Sequence, residues 1–542
     1  MQQDKPVFPE DAHTGKYFLL DRIAEGKGQK TAILFGDRTY TYAHVAEKSR
    51  RAAQALADAG VRRGERVLIV LPDMPTFAYA FFGTLLRGAV VAMGNPEAPA
   101  SQIEYLVRYT RATCVITVPK VASALEKSAF PELLRVFVAC DAATTEDPEA
   151  PSGATETGLL REFCAALAKA DPHAELPSLH RDEPCIWLFT SGSTGEPKAN
   201  IHTHRDFMYN TEVYAKGTVG YQAGDVTVSV PRLFFGYATG TNLMFPFAVG
   251  AAAGLFSERP TPESISLAIK RYRATVVTNV PTMLGKLLEH DEALREAGGP
   301  GLDFSFVRFS LSAGEALPEP LLRRWQARFH SDVYDGIGSA EMFHIYASNR
   351  PGDIKPGSLG KVVSGYELRI LPEDAEGAGA APCAVGEIGV LWVRGDSVSQ
   401  GYFLDRDKSF RTFHGHWCRT GDLFRIDEEG YLYFAGRADE LLKVGGQWVA
   451  PVEVEECLMR HAAVALAAVI GIEHDGLTKT KAFVELRAGV APSAELATQL
   501  QDFVRGTIAK YKYPRLVEFV AELPKNDRGK VDKKALRARE PG

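Results

Sequence analysis

Along the chain, short apolar runs rich in β-branched residues alternate with stretches whose apolar positions recur every three or four residues. The runs are "RVLIVLP" from Arg66, "AVVAMG" from Ala89, "CVITV" from Cys114, "CIWLFT" from Cys185, "VTVSV" from Val226 and "TVVTNV" from Thr275. Continuous apolar runs of this length predict buried parallel strands. Between them, "YAHVAEKSRRAAQALADAG" (Tyr42 to Gly60) and "PEPLLRRWQARF" (Pro318 to Phe329) each carry one apolar stripe and predict amphipathic helices, the first ending on Gly60. The alternation predicts an α/β fold with sheet packed between helices.

After Tyr366 the rhythm changes. "LRILPEDAEGAGAAPCAVGEIGVLWVRG" and "YLYFAGR" are close-set strands with turn-rich connections, suited to antiparallel pairing in a small β-barrel-like subdomain. From about Asp439 a further unit begins: a helix at "PVEVEECLMRH", strands at "VALAAVIGI" and "KAFVELR", a helix from Ser493 to about Lys510, and a Lys-rich tail. That is enough chain for a separate α+β domain of roughly 100 residues. The expected division is therefore 1–437 and 438–542, with Asp141 to Gly158 the most loop-like stretch.

Leu233 to Phe256 runs 24 residues without a charge, long enough to span a bilayer. Its glycines, a proline, an asparagine and threonines break it into short pieces, so a buried segment lining a pocket is expected and a membrane span is not. The 542-residue chain is 45% hydrophobic and 24% charged, the balance of a soluble enzyme of several domains. Its net charge of -6 comes without a long basic block, so neither nucleic acid nor an anionic membrane is an implied partner. Seven scattered cysteines, with no C-x-x-C pair, give no disulfide framework or zinc site. The polar start has no secretory signal, which makes the cytoplasm the expected location.

Four stretches could carry chemistry. Thr190-Ser191-Gly192-Ser193-Thr194-Gly195, with Lys198, follows a predicted strand and offers unobstructed backbone N–H groups, hydroxyls and a cation. That is the composition of a phosphate cradle, although Pro197 and Ala199 around the lysine exclude a Walker A loop. In "YDGIGSAEMFH" Glu341 follows a Gly-rich turn and suits Mg²⁺ if it lies beside that cradle; alone it reads as a solvated helix cap. Asp422 and Arg437 flank a predicted hairpin, where the carboxylate could accept from a ribose diol or form a surface ion pair. Lys530, in "LPKNDRGKVDKKALR", reads by itself as a solvated lysine in a basic tail.

Together and in this order, the four stretches resemble the adenylate-forming superfamily of acyl-CoA synthetases, peptide-synthetase adenylation domains and luciferases, over nearly the whole chain. "RLFFGYATGTNLMFPFAVGA" and "DGIGSAEMFHIYASN" look most like the benzoate-CoA ligase group of aryl-CoA ligases. The resemblance implies a large N-terminal domain and a mobile C-terminal domain hinged near Asp439. It implies that residues 190–198 cradle the ATP phosphates and Glu341 holds Mg²⁺. Ala313, Gly314, Glu315, Asp335 and Gly336 would frame adenine, and Asp422 and Arg437 would hold the ribose. Lys530 would bridge carboxylate and α-phosphate during adenylation; Lys443, Gly445 and Gly446 would face the site during thioester formation with coenzyme A. Phe235, Tyr237, Ala238, Gly338, His344 and Ile345 would line a pocket for a flat ring, with benzoate first and 2-aminobenzoate or a hydroxybenzoate next. Ala199 stands where glycine is usual, and Ala340 and Asn526 stand where threonine is common. A homodimer, a carrier protein in trans as acceptor, and a non-catalytic nucleotide-binding regulator remain open.

Overall fold

All six apolar runs are strands, but two sheets share them. The computed structural model describes residues 5–141, 147–191, 196–315, 317–444, 447–474, 477–487, 489–524 and 531–540. One sheet of seven strands runs in the order Leu160–Glu162, Arg135–Val138, Cys114–Thr117, Arg66–Val70, Val90–Met93, Pro184–Ser191, Pro197–Thr203. Its neighbours are parallel except the last pair, which form an antiparallel hairpin. The second sheet has nine strands, and at its centre Val226–Ser229, Val276–Asn279, Phe309–Ser312 and Asp332–Gly338 lie parallel in that order. Beyond Asp332–Gly338 the strand Ile345–Ser348 returns antiparallel. Burial on both faces explains the unbroken apolar runs, each Val, Leu or Ile contributing about 1.5–3 kcal/mol.

Helix Tyr42–Asp58 begins where Thr41 accepts a hydrogen bond from the His44 amide, and its apolar stripe faces the helix Pro75–Leu86. Every residue of Pro75–Leu86 is buried. At Gly83 a Cβ would come 2.5 Å from the Ala52 Cβ, so glycine lets the two helices close together. Having no polar face, this helix shows no amphipathic period in the sequence.

The uncharged stretch from Leu233 divides into the helical pieces Gly236–Thr239, Gly240–Met244 and Phe245–Val249 and the strand Ala252–Leu255. Among the described residues no helix is long and apolar enough to cross a membrane. Glu367–Leu371, Gly389–Arg394, Phe413–His414, Trp417–Ile426 and Leu432–Arg437 make an antiparallel five-stranded sheet, the β unit foreseen after Tyr366. The C-terminal part combines helices Pro451–Met459 and Ala494–Thr507 with the sheet Val464–His474, Leu477–Leu486, Leu516–Val520. It has its own core of Val454, Leu458, Val469, Val484, Leu500 and Val504. The chain is mixed α/β, with a large N-terminal region of sheets and a smaller C-terminal domain.

Candidate active site

The predicted phosphate loop joins two hydrogen-bonded strands. Thr190 lies opposite Lys198 and Ser191 opposite Pro197 at the base of the hairpin; Gly192, Ser193, Thr194 and Gly195 lie outside the described residues. The Lys198 Nζ donates to Asp405 Oδ2 at 2.5 Å, and that contact holds the Asp405 carboxyl below the usual carboxylate range. Asp405 also accepts from the Lys408 amide, capping the helix Arg406–Thr412. The outer edge of the hairpin is covered by the segment 399–403. Ile201 N donates to Gly401 O, Gln400 N to Ile201 O, and Phe403 N to Ala199 O, all at 2.9–3.0 Å.

That covering segment reaches Glu341. The Tyr402 hydroxyl donates to Glu341 Oε1 at 2.7 Å, and Ser399 N donates to the Glu341 carbonyl at 2.8 Å. Burial and the charge of Glu341 together raise the Tyr402 phenol well above its ordinary range, so it stays a donor. Glu341 sits in the single turn Ala340–Met342, after which Phe343 takes φ +67° and ψ −57° while His344 N donates to Met342 O at 2.9 Å. This is a γ-turn of the rare positive-φ kind, costing on the order of 1–3 kcal/mol in a non-glycine residue.

The turn sends His344 into an aromatic box. Its ring centroid lies 4.7 Å from Phe245, 5.2 Å from Tyr237 and 5.6 Å from Tyr214. Because a carbonyl only accepts, His344 Nε2 is the donor to Tyr237 O at 3.1 Å, while Nδ1 has no partner. Burial lowers the His344 imidazole to about 3, so it is neutral at physiological pH. Two glycines make room for it: a Cβ on Gly240 would come 2.6 Å from His344 Cδ2, and one on Gly338 would come 2.5 Å from His344 O. Gly338 lies opposite Ile345 in the strand register, and Ala238 is buried in the short helix that also carries Tyr237. The buried Tyr237 hydroxyl has no partner. Phe235 precedes that helix with its ring 4.4 Å from Phe234.

On three adjacent parallel strands, Asn279, Ser312 and Asp335 are successive register neighbours. Burial pushes the Asp335 carboxyl up to about 8, and its Oδ1 and both side-chain polar atoms of Asn279 lack partners. Ala313 is buried just after strand Phe309–Ser312 and Gly314 turns the chain with φ +92°. Glu315 accepts from Thr282 Oγ1 at 2.8 Å and from Thr282 N at 3.3 Å, placing its carboxylate at the N-terminus of helix Pro281–Glu296, where the helix dipole favours an anion. A Cβ on Gly336 would meet Ala347 O at 2.8 Å, so this position is glycine for strand approach.

Asp422 and Arg437 face each other across the hairpin they were expected to flank, Oδ1 to Nη1 at 3.1 Å. Lys443 lies in strand Leu442–Val444 opposite Trp448. Asp439 falls in the turn Ala438–Glu440, whose Glu440 pairs with Lys533 at 3.1 Å. Gly445, Gly446 and Lys530 lie outside the described residues. Among those described, no group of three or more His, Cys, Asp or Glu could hold a metal by itself. A lone hard carboxylate such as Glu341 fits Mg²⁺, which takes one or two protein carboxylates and completes its shell with substrate phosphate and water. Sequence reasoning missed His202, Asp206, Asn279, Tyr402 and Asp405. Only Asn279 left a signal, as a polar residue within the apolar run "TVVTNV".

This fold and site define an AMP-binding enzyme. The model of the AMP-binding enzyme family matches residues 20–403, that of the AMP-binding enzyme C-terminal domain matches residues 453–530, and the chain belongs to this family. It is 38% identical to the benzoate–CoA ligase of Thauera aromatica over 98% of this chain and 96% of that one. It is 31% identical to the anthranilate–CoA ligase of Pseudomonas aeruginosa, over 88% and 87%. The crystal structure of the anthranilate CoA ligase AuaEII with anthranoyl-AMP aligns with TM-score 0.88 at 34% identity, covering 98% of both chains. That of a benzoate CoA ligase from Burkholderia xenovorans aligns with TM-score 0.85 at 34% identity, covering 97% of this chain and 100% of that one.

Proposed function

We propose that this chain is an ATP-dependent aryl carboxylate–CoA ligase that activates benzoate or a small substituted benzoate. The observation that carries the reading is the Glu341–His344 unit. One tight turn joins a carboxylate beside the phosphate hairpin to a neutral histidine in an aromatic box. The names of the relatives support the same class, from benzoate to anthranilate.

A carboxylate resists nucleophiles because it is anionic and oxide is a poor leaving group. Attack of a carboxylate oxygen on the α-phosphorus of ATP gives an acyl-AMP and pyrophosphate; the CoA thiol then displaces AMP to form the thioester. Both reactants of the first step are anions, so the protein acts chiefly by positioning them and offsetting their repulsion. Mg²⁺, when bound at Glu341, would supply positive charge to the phosphates. Lys198 and the hairpin donors hold the triphosphate, Asp422 and Arg437 hold the ribose, Asp335 and the 313–315 turn frame the base, and Lys530 bridges the carboxylate and α-phosphate. Tyr237, His344 and Phe235 present ring faces and edges to the acid, which favours a flat ring over an alkyl chain. For the second step, rotation about Asp439 would bring Lys443 and its neighbouring glycines to the site.

A panel of benzoate, hydroxybenzoates, aminobenzoates and short fatty acids, assayed for ATP- and CoA-dependent thioester, tests the reading. Aryl acids should be turned over with pyrophosphate release, and turnover of fatty acids alone would overturn it. Thioester formation with free CoA distinguishes this enzyme from one loading a carrier protein, and turnover itself excludes a non-catalytic nucleotide sensor.

A further inference from the structure

The arm of the phosphate hairpin does more than close the loop. At its end His202, with a fully buried side chain, lies between two acceptors: Nδ1 is 2.7 Å from Asp206 Oδ2, and Nε2 is 2.6 Å from the carbonyl oxygen of Ala340. A carbonyl oxygen can only accept, so Nε2 donates to the residue directly before Glu341. Asp206 is fixed in turn by Thr203, whose amide and hydroxyl donate to its two oxygens at 3.0 and 2.7 Å. The next residue, Phe207, packs its ring 4.3 Å from that of Phe343 and 5.6 Å from that of His202. The segment 202–207 therefore grips the chain on both sides of Glu341, at the Ala340 carbonyl and at the strained Phe343 turn.

We propose that His202 and Asp206 are a buried positioning pair that fixes the Glu341 carboxylate relative to the phosphate hairpin, so that loop and metal ligand meet the same triphosphate in register. The proposal rests on the reading of Glu341 as the Mg²⁺ ligand. Its physical logic is that of outer-shell partners: a ligand held on a single turn, with alanine rather than a hydroxyl residue before it, needs its backbone anchored from outside. Tyr402 orients the carboxylate itself, whereas His202 sets where its backbone lies.

The test uses Mn²⁺ as the probe ion with the full chain and a non-hydrolysable ATP analogue, following free Mn²⁺ by electron paramagnetic resonance. His202→Leu should weaken Mn²⁺ in the ternary complex by about tenfold and slow acyl-adenylate formation by a similar factor, while thioester formation from supplied acyl-AMP changes less than about twofold. His202→Gln, whose amide can still donate to the Ala340 carbonyl, should recover most of the loss. A folded His202→Leu protein with unchanged Mn²⁺ affinity, or equal losses in both half-reactions, overturns the proposal. Should His202→Leu fail to fold, Asp206→Asn, which keeps the side-chain volume, takes its place under the same criteria. The Mn²⁺ readout needs no acid, so it decides the role of the pair separately from the identity of the aryl substrate.

Discussion

Lys198, the cation of the proposed phosphate hairpin, is held by Asp405 at 2.5 Å, in a contact only partly exposed to solvent. Under the proposed function, nucleotide phosphates compete with that carboxylate for the ammonium. Asp405→Asn keeps the cap on helix Arg406–Thr412 but removes the charge, so ATP should bind several-fold more tightly, as isothermal titration calorimetry would detect. Lys198→Ala should instead slow adenylate formation by about 10²–10³, with thioester formation from supplied acyl-AMP affected far less. Weaker ATP binding by Asp405→Asn would contradict the competition.

Lys530→Ala should suppress adenylate formation by about 10²–10³ yet spare thioester formation from supplied acyl-AMP. Asp439→Pro should impair one half-reaction selectively, because proline stiffens the turn at which rotation is proposed. Pyrophosphate exchange and single-turnover thioester assays separate the two steps; equal losses in both would refute the assignments.

Gly240 leaves room for the His344 ring, and a methyl group there would arrive 2.6 Å from Cδ2. Gly240→Ala should push the ring into the space proposed for the acid, lowering kcat/KM for aryl acids by roughly 10- to 100-fold, in keeping with the usual ~1–3 kcal/mol of overpacking. The KM for ATP should not change. A matching rise in both KM values would place the aromatic box elsewhere than at the acid.

Acid should destabilise the fold through its buried histidines. His204 and His344 both have folded values lowered to about 3 by burial, against 6.5 when unfolded. The unfolded chain therefore binds more protons below pH 6.5, and stability is intact above that value and falls as pH drops toward 3. At pH 5 the loss is about 2 kcal/mol for each histidine. Thermal melts of wild type and His344→Gln between pH 7 and 5 should show a shallower acid slope in the variant.

Asp335 has the opposite sign. Its folded value is raised to about 8 by burial, so keeping it buried costs progressively more as pH rises from around 4 to 8. Asp335→Asn should gain melting temperature relative to wild type over that interval and lose affinity for ATP through the base. A difference in melting temperature that is flat with pH would show that the carboxyl does not titrate in the folded protein.

Much of this architecture was legible because burial on both faces writes itself as uninterrupted apolar sequence. Each of the six runs became a strand, and Tyr42–Asp58 kept its stripe. The partition into two sheets was not legible, since the runs "CVITV" and "TVVTNV" differ in nothing that reports which neighbour they pair with. The helix Pro75–Leu86 was invisible for a related reason: with no wet side it has no periodicity. Lys198, Glu341 and the Asp422–Arg437 pair stand out as candidates in the sequence because their types suit anion, metal or diol chemistry. Asp405 and His202 do not, because the contacts that single them out span 207 and 138 positions of sequence.

The strand Pro197–Thr203 ends its sheet, and an uncovered edge there would offer free amides and carbonyls to any passing chain. The segment 399–403 that seals this border also carries Tyr402 and leads directly to Asp405. Cover for the sheet edge and the proposed catalytic geometry thus share one stretch of polypeptide. Lesions between residues 399 and 403 should surface first as aggregation in the expressing cell, and only the survivors will reveal a kinetic defect.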